Sequence, residues 1–363
     1  MSTKNLTIFL AVLLLLLLFI TIQPAAAQDI SIVDIYSDVD SADFTIHANE
    51  KYENIVVISN LIFDGKVISS KQFDINRISP DADITKVAFW NIKPEEGYYR
   101  TEITVSMDGN AIETRYSNFS YGRAAIPKIY IKDIVPDSMG ISIILSPKIG
   151  ALGAEPVLAD VEYMLVDGDT VIYKTKDSRI NVVQATPLSK DWNIRLDNDH
   201  EYSIRVKVRI ASPTDVVIAR SETFKAKDDA KITELYKDKT GASVTLLGQS
   251  QVPFTGNIVF TVVKDGKTIE EISEKSPILM SGDDETIEVA WSDKLAAGIY
   301  ELTLKVVGND GDVLDRWDTV IEVEESVFVN ESEPAPTEES PGLTIFSMIS
   351  LLIIAYLANN RRR

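Results

Sequence analysis

The chain has 363 residues, with 36 Lys and Arg against 55 Asp and Glu, two His and no Cys. That length suits two or three domains of ~100–150 residues. A net charge of −19 argues against nucleic acid and anionic lipid as partners, and the lack of thiols removes disulfides, thiolate catalysis and Cys-bound metals.

The first segment reads as a leader. Lys4 precedes an apolar run from Leu6 to Ile22, followed by Gln23-Pro24 and Ala25-Ala26-Ala27. A basic start, an apolar stretch and an A-x-A site predict a secretory signal peptide over 1–27, with Gln28 as the mature start. The alternative is an uncleaved anchor, since the run approaches the ~20 residues of a membrane span. Leader and tail contain no Asp or Glu and only Lys4, Arg361, Arg362 and Arg363 as basic residues. The rest therefore holds 32 basic (36 less 4) and 55 acidic side chains, a net of −23. An exported chain without cysteine points to a prokaryotic source.

From residue 28 to 325 three landmarks recur in one order. The first is a strand-like opening: "ADFTIHA", "GISIILS" and "ASVTLLG", starting at 42, 140 and 242. The second is Asp64-Gly65, Asp167-Gly168 and Asp265-Gly266 between apolar runs. Asp-Gly suits the type I′ turn of a two-residue hairpin, where both central residues need positive φ. The third is a Trp followed by a Tyr: Trp90 and Tyr99, Trp192 and Tyr202, Trp291 and Tyr300. The Trp spacings are 102 and 99 residues. After each Tyr the chain alternates with period two, as in Ile204, Val206 and Val208, the mark of a half-buried strand.

A period near 100 residues with about seven short strands per copy predicts an all-β chain of three tandem β-sandwiches. The expected copies are 28–125, 126–228 and 229–325. The stretch "IKPEEGYY" resembles the loop before strand F in fibronectin type III domains, and "KLAAGIY" is a looser version. The resemblance implies an immunoglobulin-like or fibronectin type III-like sandwich in which Tyr99, Tyr202 and Tyr300 act as tyrosine corners. The Trp just ahead of the corner departs from those families. Trp90, Trp192 and Trp291 are expected in the cores, against the alternative of sugar-stacking platforms. Short links predict a semi-rigid rod.

After the third copy, 326–342 is acidic and rich in Pro and Ser, a composition that predicts an extended stalk. Leu343 to Ala358 is mostly apolar. As a helix its 16 residues would span ~24 Å at ~1.5 Å each, short of the ~30 Å hydrocarbon core. Arg361, Arg362 and Arg363 form a basic stop. The order of stalk, Pro341-Gly342-Leu343, short span and basic tip resembles the PGF-CTERM tail of archaeal surface proteins, with Leu343 in place of Phe. That resemblance covers about 23 residues and implies cleavage and a lipid anchor. The alternative is a plain C-terminal transmembrane helix over 343–363.

Little in the chain points to catalysis. His47 and His200 are the two histidines, too few and too separated for a metal pair or a Ser-His-Asp triad. Asp clusters offer oxygen ligands for Ca²⁺ at Asp38, Asp40 and Asp43, at Asp197 and Asp199, and at Asp310, Asp312 and Asp315. The plainer reading is that Asp forms turns. Asn118-Phe119-Ser120 and Asn330-Glu331-Ser332 are glycosylation sequons. The expected protein is a non-enzymatic, membrane-tethered surface component of a prokaryotic, archaeal envelope, structural or adhesive. Its expected partners are the membrane, other envelope proteins and glycans, and no nucleic acid. The alternative is a surface binding module for carbohydrate, peptide or cation.

Overall fold

The period-two alternation becomes paired strands throughout the computed structural model, which describes residues 29–122, 129–148, 157–210 and 216–325. In the first copy the strands are β1 (Ile30–Ser37), β2 (Ser41–Ala48), β3 (Tyr52–Phe63), β4 (Lys66–Ile78), β5 (Ala82–Phe89), β6 (Gly97–Met107) and β7 (Asn110–Tyr121). They form one sheet in the order β1-β2-β5 and a facing sheet in the order β4-β3-β6-β7. The second copy repeats this with β8 (Ile129–Pro136), β9 (Gly140–Pro147), β10 (Val157–Asp167), β11 (Thr170–Val182), β12 (Thr186–Asp191), β13 (Glu201–Ile210) and β14 (Val216–Lys225). The third has β15 (Ala230–Lys237), β16 (Gly241–Gly248), β17 (Asn257–Lys264), β18 (Lys267–Lys275), β19 (Asp284–Ala290), β20 (Gly298–Val307) and β21 (Val313–Val323). Strands one, two and five of each copy face strands four, three, six and seven, all antiparallel. The fold is an all-β set of immunoglobulin-like or fibronectin type III-like sandwiches.

Each copy has its own apolar core. Phe44, Ile103 and Trp90 belong to the first, Tyr163, Val206 and Trp192 to the second, and Phe260, Leu304 and Trp291 to the third. Burying one such side chain contributes roughly 1.5–3 kcal/mol, so a dozen or more per copy supply the cohesion that disulfides would otherwise give. The corner tyrosines work locally. The Tyr99 hydroxyl donates to Glu95 O at 2.8 Å and accepts from Glu95 N at 2.8 Å. Tyr300 donates to Ala296 O at 2.8 Å, and Tyr202 accepts from Asp197 N at 3.1 Å.

Two further landmarks repeat in register. Asp38, Asp137 and Asp238 each turn the chain between the first two strands of their copy. The Oδ1 atom of each accepts from the backbone two and three residues on: Asp40 and Ser41, Met139 and Gly140, Thr240 and Gly241. This Asx turn satisfies backbone donors that the hairpin would otherwise leave open. In addition, a bulge follows Ile32, Ile131 and Ile232 in the first strand of each copy. The indole of Trp192 donates to Asp137 O and that of Trp291 to Asp238 O, both at 3.0 Å. Among the described residues the Trp90 indole has no such acceptor.

The structure corrects one expectation, the turn type in the second copy. Asp64-Gly65 and Asp265-Gly266 have positive φ at both residues, as a type I′ turn requires. In the second copy the turn is shifted by one residue, to Gly168-Asp169, because Asp167 still pairs with Thr170. Only Gly168 has positive φ there, which fits a type II′ turn. The first junction adds a feature that the repeat pattern does not announce. Lys86 of β5 pairs with Thr170 of β11, which joins β1-β2-β5 and β11-β10-β13-β14 into a single seven-stranded sheet. The two cores stay distinct, but the copies share a seam.

The leader 1–27, the stalk 326–342, the span 343–363 with Pro341, Gly342, Leu343, Arg361, Arg362 and Arg363, and Asn330 lie outside the described residues. Among the described residues there is no helix long and apolar enough to cross a membrane.

Candidate functional site

The most developed polar site lies at the seam between the first and second copies. Strand β2 alternates, with Ala42, Phe44 and Ile46 in the first core and Ser41, Asp43 and Thr45 turned the other way. Strand β13 alternates likewise: Ile204, Val206 and Val208 enter the second core, and Arg205 and Lys207 face outward. The two outward faces meet. Arg205 Nε donates to Asp43 Oδ2 at 2.9 Å, and Lys207 Nζ donates to Asp43 Oδ1 at 2.6 Å. Asp43 is 2% exposed and Arg205 1%.

Neighbouring groups complete the cluster. Arg205 Nη1 donates to the Ser41 hydroxyl, and its Nη2 lies 3.8 Å from Asp38. Lys207 reaches Asp34 at 3.3 Å and Glu162 at 3.7 Å. The Tyr36 ring lies 5.6 Å from Arg205 and 5.9 Å from Lys207, and its hydroxyl donates to Val217 O of β14 at 3.2 Å. Burial pushes the Tyr36 hydroxyl's pKa up, with Asp38 adding to it, so it stays protonated. Burial works against the charged forms of Arg205 and Lys207. Burial is the largest single influence, but the surrounding anions together outweigh it, Asp43 first in both, then Asp38 for Arg205 and Glu162 for Lys207, and both cations end with raised pKa values. Burial also raises the Asp38 carboxyl, against the pull of Arg205.

An apolar strip flanks the charges. Val87 of β5 packs on Met164 and Val166 of β10, with Phe89 and Val171 beside them. Lys86 closes the end, donating to Asp169 Oδ1 at 2.7 Å and to Thr170 Oγ1 at 2.8 Å. The shifted turn places Asp169 at its second central position, where it meets Lys86. Repeat alignment shows that the fold itself does not require these charges. The position of Asp43 is Ser142 and Ser243 in the other copies, and that of Arg205 is Glu102 and Thr303. A buried ion pair gives little net stability over an apolar pair of the same size. The pair sits where the two outward faces meet.

The second junction is built differently. Val252, which precedes β17, is buried in the second core. Lys227 Nζ binds Asp310 at 2.9 Å and Asp312 at 3.2 Å. Asp228 Oδ2 accepts from Asn309 N at 2.9 Å. Ser250 Oγ donates to Lys227 O at 2.7 Å, and Gln251 N to Ser138 O at 3.0 Å.

The residues singled out in the sequence fall into place as follows. Trp90, Tyr99, Trp192, Tyr202, Trp291 and Tyr300 are buried in their cores. Of the calcium candidates, Asp38 caps the Asx turn and Asp43 holds two cations of the chain itself. Asp310 and Asp312 bind Lys227. Asp315 Oδ2 accepts from the bulged Ile232 N at 2.8 Å, and Asp199 pairs with Lys225 at 2.6 Å. The backbone N–H of Asp197 reaches the corner Tyr202, and the carbonyl of Asp40 accepts from Trp90 N at 2.8 Å. Among the described residues no group of three or more His, Asp and Glu is placed to hold a metal ion. His47 and His200 are each tied to an aspartate, Asp83 and Asp167, at 2.8 Å. Asn118 is exposed on β7. Sequence reading missed Asp34, Tyr36, Met164, Arg205 and Lys207. One signal was available: Tyr163 to Val166 are four consecutive apolar residues, which a strand wet on one face would not carry.

No family model matches the chain, and no curated protein matches it. Solved structures resemble it at low identity. The tetra-tandem repeat in the extending region of a large adhesion protein is 9% identical, over 81% of this chain and 73% of that one, with a TM-score of 0.25. Fibronectin(III)-like modules of Clostridium thermocellum CbhA are 15% identical, over 57% of this chain and 100% of that one, at 0.20. Elastase-activated Escherichia coli alpha-2-macroglobulin is 11% identical, over 81% of this chain and 32% of that one, at 0.21. These likenesses carry no argument about what the chain does.

Proposed function

We propose that the protein is an exported, non-catalytic structural or adhesive component of a prokaryotic envelope, held at the membrane by its C-terminal segment. The archaeal assignment and the processed, lipid-linked tail rest on the resemblance of Pro341 to Arg363 to PGF-CTERM tails. The observation that carries the structural role is the way the two junctions are built. Buried charges and an apolar strip lock the first sandwich to the second, and the Val252 plug with the Lys227 ion pairs locks the second to the third. Such seams keep the spacing and orientation of copies fixed, which a scaffold needs and a flexible chain of receptors does not. Exposed aromatic rings agree with this reading. They occur in all three copies, at Tyr98, Tyr116 and Tyr121, at Tyr130, and at Tyr236 and Trp317.

The test is mass spectrometry of both mature termini from native membranes, with protease shaving of intact cells. The expected chain starts at Gln28, ends at or before Gly342, and is cut by external protease. A chain that retains Met1 and resists shaving on intact cells refutes the proposal. Retention of Arg363 on a shaved, exported chain refutes only the processed tail.

A further inference from the structure

One outward face of the first copy differs from its counterparts. On β6 it carries Tyr98, Arg100 and Glu102, and on β7 Tyr116 and Asn118. Tyr98 is 73% exposed and Tyr116 50%. Aligned through the corner tyrosines, Tyr98, Arg100, Tyr116 and Asn118 correspond to Glu201, Ser203, Ser221 and Thr223 in the second copy. In the third they correspond to Ile299, Glu301, Asp318 and Val320. The sandwich folds without them, and two water-facing rings do nothing for a core.

Their arrangement centres on Asn118. Phe119 turns inward and stacks on Tyr99, with centroids 5.2 Å apart, so the strand period sends Asn118 outward. Arg100 is its direct cross-strand partner, and Tyr98 sits diagonally, across from Ser120. Diagonal neighbours lie within ~7–8 Å, inside the reach of an aromatic side chain. The Arg100 guanidinium covers the Tyr116 ring at 5.1 Å, whereas the Tyr98 ring is open. Among the described residues the Asn118 carboxamide has no hydrogen-bond partner. Beside it runs an open groove of about 630 Å³, lined by Asp64, Glu96, Tyr98, Arg100 and Asn118 among others.

We propose that Asn118 carries an N-linked glycan whose first sugars rest on Tyr98 and Arg100. The sequon Asn118-Phe119-Ser120 supplies the acceptor. The donor is an oligosaccharide linked to a lipid pyrophosphate. The Asn118 amide nitrogen bonds to C1 of the sugar, the C1–O bond to phosphate breaks, the amide gives up one proton, and the lipid pyrophosphate leaves. The C–H face of a pyranose suits the negative face of an open tyrosine ring, and the guanidinium offers donors to sugar hydroxyls. Seated in this way, the glycan would shield the Tyr98 ring that is otherwise left to water.

This inference rests on export of the chain, and its test separates the two. Full-length protein from native membranes is digested, and three peptides are weighed: the N-terminus, the Asn118 peptide and the Asn330 peptide. The expected result is a start at Gln28 and a sugar mass on Asn118. A bare Asn118 on a chain that starts at Gln28, with or without sugar on Asn330, overturns the glycan and leaves export standing. A chain that still begins at Met1 and has a bare Asn118 removes both. The seat is tested by release of the glycan with an amidase from the folded protein. Tyr98→Ala should speed release about three- to tenfold, since one ring stack is lost. An unchanged rate overturns the seating. An unaltered melting temperature before release shows that the variant folds.

Discussion

Arg205 and Asp43 are 162 residues apart in the chain and 2.9 Å apart in space, buried between two sandwiches that each have their own core. Removing one partner strands the other. Asp43→Ala would leave both Arg205 and Lys207 without their nearest anion, at a cost of about 3–5 kcal/mol. The triple change Asp43→Leu, Arg205→Met and Lys207→Met should recover most of that loss. Denaturant unfolding of the full chain reads both. A single variant as stable as the wild type would show that the seam does not hold the copies.

The three tryptophans should not respond alike. Trp192→Phe and Trp291→Phe each remove an indole donor from a carbonyl it holds at 3.0 Å. Trp90→Phe removes a buried donor that has no acceptor among the described residues. The first two should therefore cost about 1 kcal/mol more than the third. Equal losses in thermal unfolding would contradict the unpartnered indole.

Much of the fold is legible in the sequence because its signals are local. The alternation after Tyr99, Tyr202 and Tyr300 reports one wet and one dry face, and the ~100-residue period counts the copies. The Asx turns at Asp38, Asp137 and Asp238 repeat just as regularly. They are hard to see because Asp38 stands among other acids in "SDVDSAD" and looks like part of a cation site. The seam cannot be read at all. The need of Asp43 for a cation is plain from its charge, but nothing near it in the chain names Arg205. The pairing depends on how two finished sandwiches meet. Even so, Met164 and Val166 on the supposedly wet face of β10 are a visible warning.

His47 should titrate above an ordinary histidine. Its Nδ1 lies 2.8 Å from Asp83 Oδ1 and its Nε2 2.9 Å from Asn49 Oδ1. Only the doubly protonated ring donates to both. The hydrogen bond to Asp83, then the one to Asn49, raises its pKa. With the folded value above the unfolded value of ~6.5, its stabilising effect is complete below the unfolded value. It is lost as pH rises through the folded one. NMR titration should show the upward shift, and Asp83→Asn should reduce it. An Asp83→Asn variant with an unaltered His47 titration would discard this pairing.

Gly241 begins β16 opposite Ala290 of β19, and an added Cβ would fall 2.1 Å from the Val289 carbonyl oxygen. Backbone cannot yield as a flexible side chain can. Gly241→Ala should therefore cost about 1–3 kcal/mol, measured by urea unfolding. Gly266→Ala is a useful contrast. It has open space around it and is strained only by its φ of 74°.

The seam also bears on the history and engineering of the chain. Repeats that arise by copying begin as interchangeable parts, but these have lost that freedom. A rearranged chain in which the first and second sandwiches trade places would set Ser142 against Glu102 where Asp43 now meets Arg205. The order of the units is thus written into their flanks, and shuffled versions should fold piece by piece yet fail to dock.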